Sequence, residues 1–506
     1  MTRIERSNMS SSIGVKIGKA TKWSAITEIM AKVVVPISNM VLVRFLDPEM
    51  FGVVATIIMV VSFTELFTDA GFQKYLVQHR FNSEEELNKA TTVAFWTNVV
   101  VSIFLWVIIV IFSKEIATII GNPGKELAIV IACLGLPITA FSSIQNARFK
   151  RKFDYKTLFN VRMFAIMIPF VVTIPIAFIT NSYWAMIIGS LAVNFSNALI
   201  LTIRSEWKPS LFFDFAILKN MLQFSIWSMF DSILVWLINW GDIFIVSSIL
   251  SSYYLGLYKT SMTTIDGIIG IVSATTVSVL FSSLSRLQND PQQFKNVYYS
   301  FSKLSSTLLI PMGLGLFIYK DLVVSILLGN AWSEASTFVG IWGLISALGI
   351  LFNSYNGTVL IAMGKPKVSV IVQILQIAVI IPAVYISVNI SYDFLTYTRA
   401  FVRIVGMLIH IFIVWKLFGI LFSRVLKDLL PVIISSGVMA FAGVIFVNSS
   451  NSEIVSLVSI LGCVVIYFTV LMIFPSMRLE IQPYLKKMMG KKNKKITLLL
   501  NWIFSK

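Results

Sequence analysis

Two cysteines and two histidines are the only thiols and imidazoles in 506 residues. Cys133 and Cys463 each sit inside an apolar run, which argues against a disulfide framework and against a thiolate metal site. His79 and His410 alone cannot assemble a multi-histidine centre. A Gly-x-x-x-x-Gly-Lys-Ser/Thr phosphate loop is also missing. Gly14-Val15-Lys16-Ile17-Gly18-Lys19-Ala20 has the wrong spacing and the wrong ending, so the chain has no ATP-hydrolysing site of that kind. Charge is scarce: 13% of residues are charged, where soluble domains carry roughly 25%.

What is abundant is apolar. Hydrophobic residues make up 57% of the chain and the mean hydropathy is +0.84. About 20 apolar residues cross a hydrocarbon core of roughly 30 Å, and fourteen such stretches can be placed. They cover 24–45, 51–68, 91–112, 127–146, 158–180, 183–203, 221–250, 257–284, 297–319, 336–363, 368–388, 394–417, 426–447 and 454–474. The expected fold class is therefore an all-α polytopic membrane protein. Its net charge of +17 would suggest nucleic acid in a soluble protein, but here it is a topology signal, and no nucleic-acid partner is expected. Taking the connections alternately, one set with the termini holds 32 of the 41 Lys and Arg, while the other holds only Lys114, Lys125 and Lys320. Positively charged loops stay on the cytoplasmic side. Both termini are thus expected in the cytoplasm and the outward connections are all short, leaving no room there for a catalytic domain. The start, 1–22, reads as an uncleaved basic leader rather than a signal peptide.

The chain repeats itself. Ser113-Lys114-Glu115 through Gly121 precedes the fourth span as Tyr319-Lys320-Asp321 through Gly329 precedes the tenth. Phe51-Gly52 opens the second span as Leu255-Gly256 opens the eighth, and Arg151 to Lys156 leads into the fifth as Gly364-Lys365-Pro366-Lys367 leads into the eleventh. A repeat of six helices re-enters the membrane from the same side, so the two copies would be parallel repeats about an axis along the membrane normal. The expected organisation is an N-lobe at 23–204, a polar cytoplasmic linker at 205–219 and a C-lobe at 220–417. Two further helices occupy 418–475, and a basic amphipathic tail at 476–506 would lie against anionic lipid.

Ionisable residues inside spans cost at least about 2.5 kcal/mol each and should face protein or water. They keep to single faces. Glu28, Lys32 and Asn39 fall within about 40° on the first helix. Asp231 and Asp242 align with Ser228 and Asn239 on the seventh, Lys259, Thr263, Asp266 and Gly270 on the eighth, and Arg399, Arg403, Gly406 and His410 on the twelfth. One reading is a hydrated cavity in which Lys32, Arg162, Lys259, Arg399 and Arg403 hold an acidic or diphosphate-bearing headgroup, Arg by forking to phosphate and Lys as a point charge. Glu28, Glu65, Asp69, Asp231, Asp242 and Asp266 would then be counter-ions or ion-coupling groups. Glu65 and Asp69 share one helix face, where two carboxyls can hold a proton between them. The competing reading is structural pairing, Glu28 with Lys32 and Asp266 with Lys259. His410 fits a satisfied buried histidine at least as well as a proton switch. Trp236, Trp240, Tyr253 and Tyr254 suit sugar stacking or interfacial anchoring, and Pro36, Pro137, Pro169, Pro175, Pro311 and Pro382 would kink their spans.

Two stretches carry a family resemblance. One is Arg44-Phe45-Leu46-Asp47-Pro48-Glu49-Met50-Phe51-Gly52, continuing to Asp69-Ala70-Gly71-Phe72-Gln73. The other is Asn239-Trp240-Gly241-Asp242-Ile243 with Leu255-Gly256-Leu257-Tyr258. They resemble bacterial polysaccharide flippases of the O-antigen, colanic-acid and teichuronic-acid type, within the superfamily of multidrug, oligosaccharidyl-lipid and polysaccharide exporters. The resemblance implies a cytoplasmic-membrane transporter, not an enzyme, that moves undecaprenyl-diphosphate-linked repeat units to the outer leaflet by alternating access. No cofactor is expected, H+ or Na+ coupling through the acidic residues being an open option, and membrane lipids and polysaccharide polymerase machinery are the expected surroundings and candidate partner. Basic cavity residues of such proteins correspond by type and location to Arg162, Lys259 and Arg403. A cation-coupled multidrug extruder is the alternative within the superfamily, and a membrane glycan polymerase or ligase the alternative outside it.

Overall fold

The computed structural model describes residues 22–478 apart from Ala25, Ile29, Ala70, Ser450 and Asn451. The rest of the basic leader, and the tail from residue 479 onward, lie outside the described residues. Among the described residues there is no strand, and fourteen helices are long and apolar enough to cross a membrane. They are α1 (Lys22–Leu42), α2 (Pro48–Asp69), α3 (Glu84–Ile111), α4 (Glu126–Arg151), α5 (Tyr155–Thr180), α6 (Trp184–Arg204) and α7 (Phe215–Ile249). The others are α8 (Ser252–Ser285), α9 (Pro291–Ile318), α10 (Asn330–Ala362), α11 (Pro366–Val388), α12 (Tyr392–Phe418), α13 (Phe422–Ser449) and α14 (Glu453–Ile473). The expected all-α polytopic fold is the observed one. Val171, Phe178, Ile179 and Phe441 are at least 66% exposed, a surface that suits hydrocarbon and not water.

Local sequence sets the helix ends. Pro48 takes the first turn of α2, where its missing N–H costs nothing. At the opposite end of that hairpin the caps are acidic or hydroxylic. Ser83 Oγ accepts from the Glu86 N–H at 3.1 Å and begins α3. The carboxylates of Asp154, Asp214 and Asp290 accept from Thr157, Ala216 and Gln293 N–H and begin α5, α7 and α9. Pro169 sits in a π-helical turn, Pro169–Thr173, within α5. A second π turn, Ile350–Ser354, lies in α10, where no proline marks it.

The chain divides into two compact units, and three of its five crossings between them fall inside α8, α10 and α12. Unit 1 holds residues 22–275, 327–338 and 366–402 of the described chain, and so combines helices from both expected repeats. One of its cores joins Phe72, Tyr75 and Leu76 to Leu87, Phe95 and Met221, with Trp207 from the linker buried against them. That linker is tied down further by the Glu206–Lys152 ion pair, whose ammonium holds the Glu206 carboxyl below its usual range. Unit 2 holds 276–326, 339–365 and 403–478. Its buried tyrosines each find a partner, as buried phenols require. Tyr298 donates to Asn356 Oδ1, Tyr355 to Ser305 Oγ and Tyr467 to the Thr307 carbonyl, all at 2.7–2.8 Å.

Candidate functional site

At the end of unit 1 that carries the α1–α2 hairpin, α2 and α8 meet backbone on backbone. A Cβ built on Gly52 would lie 1.8 Å from the Ser252 carbonyl oxygen, and one built on Gly256 would lie 1.8 Å from the Pro48 carbonyl oxygen. The contact is reciprocal, as a two-fold relation between α2 and α8 demands. Around it, Asn122 Nδ2 donates to Thr56 Oγ1 and Ser252 Oγ donates to Asn122 Oδ1, both at 2.9 Å. Trp332 is fully buried, stands edge-on to Phe51 and donates to the Val43 carbonyl. This end is sealed.

Further along, the charged faces acquire different neighbours. Asp242 and Arg399 form a buried ion pair at 2.9 Å, and Tyr258 donates to the same carboxylate oxygen at 2.5 Å. Asp242 is 1% exposed and Arg399 6%. Lys259 Nζ lies 4.2 Å over the Trp240 ring. Lys32 of α1 reaches α8, its Nζ lying 2.8 Å from where a Gly270 Cβ would stand, while Pro36 lies against Gly267 in the same way. The α8 stripe that includes Asp266 thus faces α1. Among the described residues no ion pair joins Lys32 to Glu28, which is exposed. In unit 2, Arg403 stacks 4.4 Å over the Trp342 ring beside Gly349. His410 places Nδ1 3.0 Å from the Gly406 carbonyl.

Two cavities open within unit 1, and Ser62 and Glu65 line both. The first, about 440 Å³, lies among α1, α2, α4, α5 and α6 and is mainly apolar, with Asn39, Arg162, Thr173 and Asn194 as polar contributors. The second, about 360 Å³, lies among α2, α3, α4 and α7 and reaches the short helix Phe72–Gln78 at the end opposite the hairpin. Among the described residues, neither Glu65 nor Arg162 has an ion-pair partner. Asp69 ends α2 one turn beyond Glu65. Asp231 is half-exposed, 4.0 Å from Lys74 Nζ. Arg162, expected from the sequence as a headgroup cation, and Glu65, expected as a counter-ion or coupling group, both line the larger cavity. Sequence reasoning did not single out Tyr258, Trp342 or Asn122. The position of Tyr258 in Leu255-Gly256-Leu257-Tyr258 was the available signal for the first of these.

Helices of this number, with ionisable side chains facing internal space, define a multi-pass membrane protein built for passage or binding within the bilayer. The profile of the family described as "polysaccharide biosynthesis protein" matches residues 41–337, more than half of the chain, and the protein belongs to that family. It is 25% identical over 382 residues to a Klebsiella pneumoniae protein described as an uncharacterized membrane protein in the cps region, covering 74% of this chain and 77% of that one. It is 22% identical over 385 residues to the lipopolysaccharide biosynthesis protein WzxC of Escherichia coli K12, covering 74% and 76%. Among solved structures, the lipid II flippase MurJ in an inward closed conformation superposes with a TM-score of 0.74 at 14% identity, over 92% of this chain and all of that one. That likeness shows the fold.

Proposed function

We propose that this protein is a flippase, a transporter and not an enzyme. It would carry undecaprenyl-diphosphate-linked oligosaccharide repeat units from the cytoplasmic to the outer leaflet for surface polysaccharide synthesis. The observation that carries the reading is the pair of intramembrane cavities meeting at Glu65, one of which holds Arg162. A guanidinium with no ion-pair partner among the described residues costs too much in a membrane unless water or an anionic ligand meets it, and a diphosphate offers two forked acceptors. WzxC, named as a lipopolysaccharide biosynthesis protein, and ExoT of Rhizobium meliloti, named as a succinoglycan biosynthesis transport protein, support the same reading, and the fold shared with MurJ agrees with it.

In this reading the two halves are parallel six-helix lobes, and the reciprocal Gly52–Gly256 contact, 204 residues apart, is the meeting point of equivalent helices. The sealed hairpin end faces outward and both termini face the cytoplasm of a bacterial inner membrane. Arg162, Lys32 and Lys259 are the headgroup contacts of unit 1, and Arg403 is the candidate contact of unit 2. Glu65 is the coupling carboxylate, with H+ or Na+ as the ion, while Asp242 and Arg399 neutralise each other and act as structure. The test is gene deletion with complementation. Deletion is expected to abolish surface glycan and to accumulate lipid-linked repeat units on the cytoplasmic face. Wild-type protein should restore export, while Arg162→Ala and Glu65→Gln should not, although both are present at normal levels. Unchanged glycan with altered drug tolerance would instead mean an extruder.

A further inference from the structure

We infer that the smaller cavity of unit 1, between α2, α3, α4 and α7, is a saccharide subsite that takes an uncharged or N-acylated sugar of the headgroup. The inference rests on the flippase reading for its ligand but on separate residues for its geometry. The cavity measures about 360 Å³, within the roughly 300–1,000 Å³ of small-molecule sites. Its wall is dominated by hydroxyls and amides, among them Ser62, Thr68, Asn98, Thr139, Ser143 and Ser232. The hydroxyls of Ser62, Thr68, Thr139 and Ser232 donate to backbone carbonyls of their own helices, so they face the space as acceptors for the hydroxyl hydrogens of a sugar ring.

Two details point from lining to ligand. The hydroxyl of Ser228, on the wall, is buried and has no hydrogen-bond partner. A buried polar atom left in that state costs about 1–3 kcal/mol, a cost that a bound sugar hydroxyl removes. Part of the wall is already fixed in place: Asn98 is 1% exposed and donates to Ser143 Oγ at 2.8 Å, so their remaining acceptors have set directions. Glu65 adds a carboxylate acceptor at the junction with the larger cavity.

Other ligand classes fit the wall less well. A diphosphate would need forked or clustered cations, and the one cation on this wall is Lys74, which stands 4.0 Å from Asp231. A lipophilic drug would need apolar or aromatic lining, and Leu66 and Met229 are the only large apolar side chains on the wall. The larger cavity, with Arg162, is the place for the charged part of the headgroup. A sugar in one cavity and a phosphate in the other would meet across Ser62 and Glu65.

The test uses thiol labelling of the full-length protein in native membranes. Cys133 and Cys463 are buried, so a Ser228→Cys variant carries the reactive thiol. N-ethylmaleimide should label S228C. The water-soluble oligosaccharide released from the host's own surface polysaccharide should slow that labelling by the factor 1 + [L]/Kd, about tenfold at ten times the dissociation constant. Inorganic pyrophosphate and tetraphenylphosphonium should leave the rate unchanged. Protection by pyrophosphate alone, protection by tetraphenylphosphonium alone, no protection by any probe, or no labelling at all would each overturn the subsite. As a second variant, Thr139→Phe, which fills the cavity, should reduce glycan export with the protein still present in the membrane, and normal export would also overturn it. Loss of glycan on gene deletion is read independently, so the subsite can fail while the flippase assignment stands.

Discussion

Arg399→Ala is expected to destabilise the protein by about 3–5 kcal/mol, because it leaves the Asp242 carboxylate buried without its cation. Asp242 is 1% exposed, its Oδ2 is shared between Arg399 and Tyr258, and its Oδ1 accepts only from the Ile243 N–H. Nothing in that arrangement supplies a second positive charge by direct contact. The measurement is the apparent melting temperature of detergent-solubilised protein, read by size-exclusion after heating. Asp242→Asn should be costly for the converse reason, stranding the guanidinium. The double variant Arg399→Leu with Asp242→Asn should recover much of the loss, since removing both charges leaves neither unpaired, and the cycle reports their coupling. If Arg399 instead contacted substrate, the single variant would melt normally and lose only glycan export.

The second large effect is conformational. Gly52→Ala or Gly256→Ala puts a methyl 1.8 Å from a backbone carbonyl oxygen of the facing helix, and backbone cannot step aside as a side chain can. Overpacking costs about 1–3 kcal/mol. Here it is borne only while α2 and α8 are in contact, so it favours the separated state about ten- to a hundredfold. Thr56 reads this out. It is 0% exposed beside the contact and accepts from Asn122. A permeant maleimide should react slowly with a Thr56→Cys variant and about ten- to a hundredfold faster once Gly256→Ala is added. Equal rates would mean that the glycine pair does not hold this end shut.

These two sites differ in how far the chain announces them. The Asp47-Pro48 reversal, the helix count and the Gly52/Gly256 correspondence are legible because they depend on local chemistry and period. A proline starts a helix, twenty apolar residues span a bilayer, and Phe51-Gly52 and Leu255-Gly256 carry a glycine in the same place. Pairings between distant helices are not legible in this way. Helical-wheel arithmetic puts Asp231 and Asp242 on one stripe of α7, yet one is half-exposed near Lys74 and the other is enclosed with Arg399. It puts Arg399 and Arg403 on one stripe of α12, as two cations of one cavity. In the structure Arg399 has Asp242, and Arg403 lies on the Trp342 face. The wheel gives direction but not the neighbour in that direction. Glu28 and Lys32 show the same limit, since i,i+4 spacing allowed a pair that does not form and Lys32 turns to α8 instead. The π turn at Ile350–Ser354 has no proline to signal it. Glu65 was legible as an intramembrane carboxylate, but its place on the wall of two cavities depends on how α2 meets six other helices.

The proposed function requires movement of a lipid-linked glycan between leaflets, and reconstitution measures that directly. Purified protein would be placed in liposomes with undecaprenyl-diphosphate-linked oligosaccharide extracted from the deletion strain, and an external lectin would report the glycan on the outer face over time. The account predicts that the wild-type protein raises the rate of appearance well above that of empty liposomes, and that Arg162→Ala abolishes the increase. Rates equal to those of empty liposomes, in preparations where the same protein expels a lipophilic cation, would contradict it.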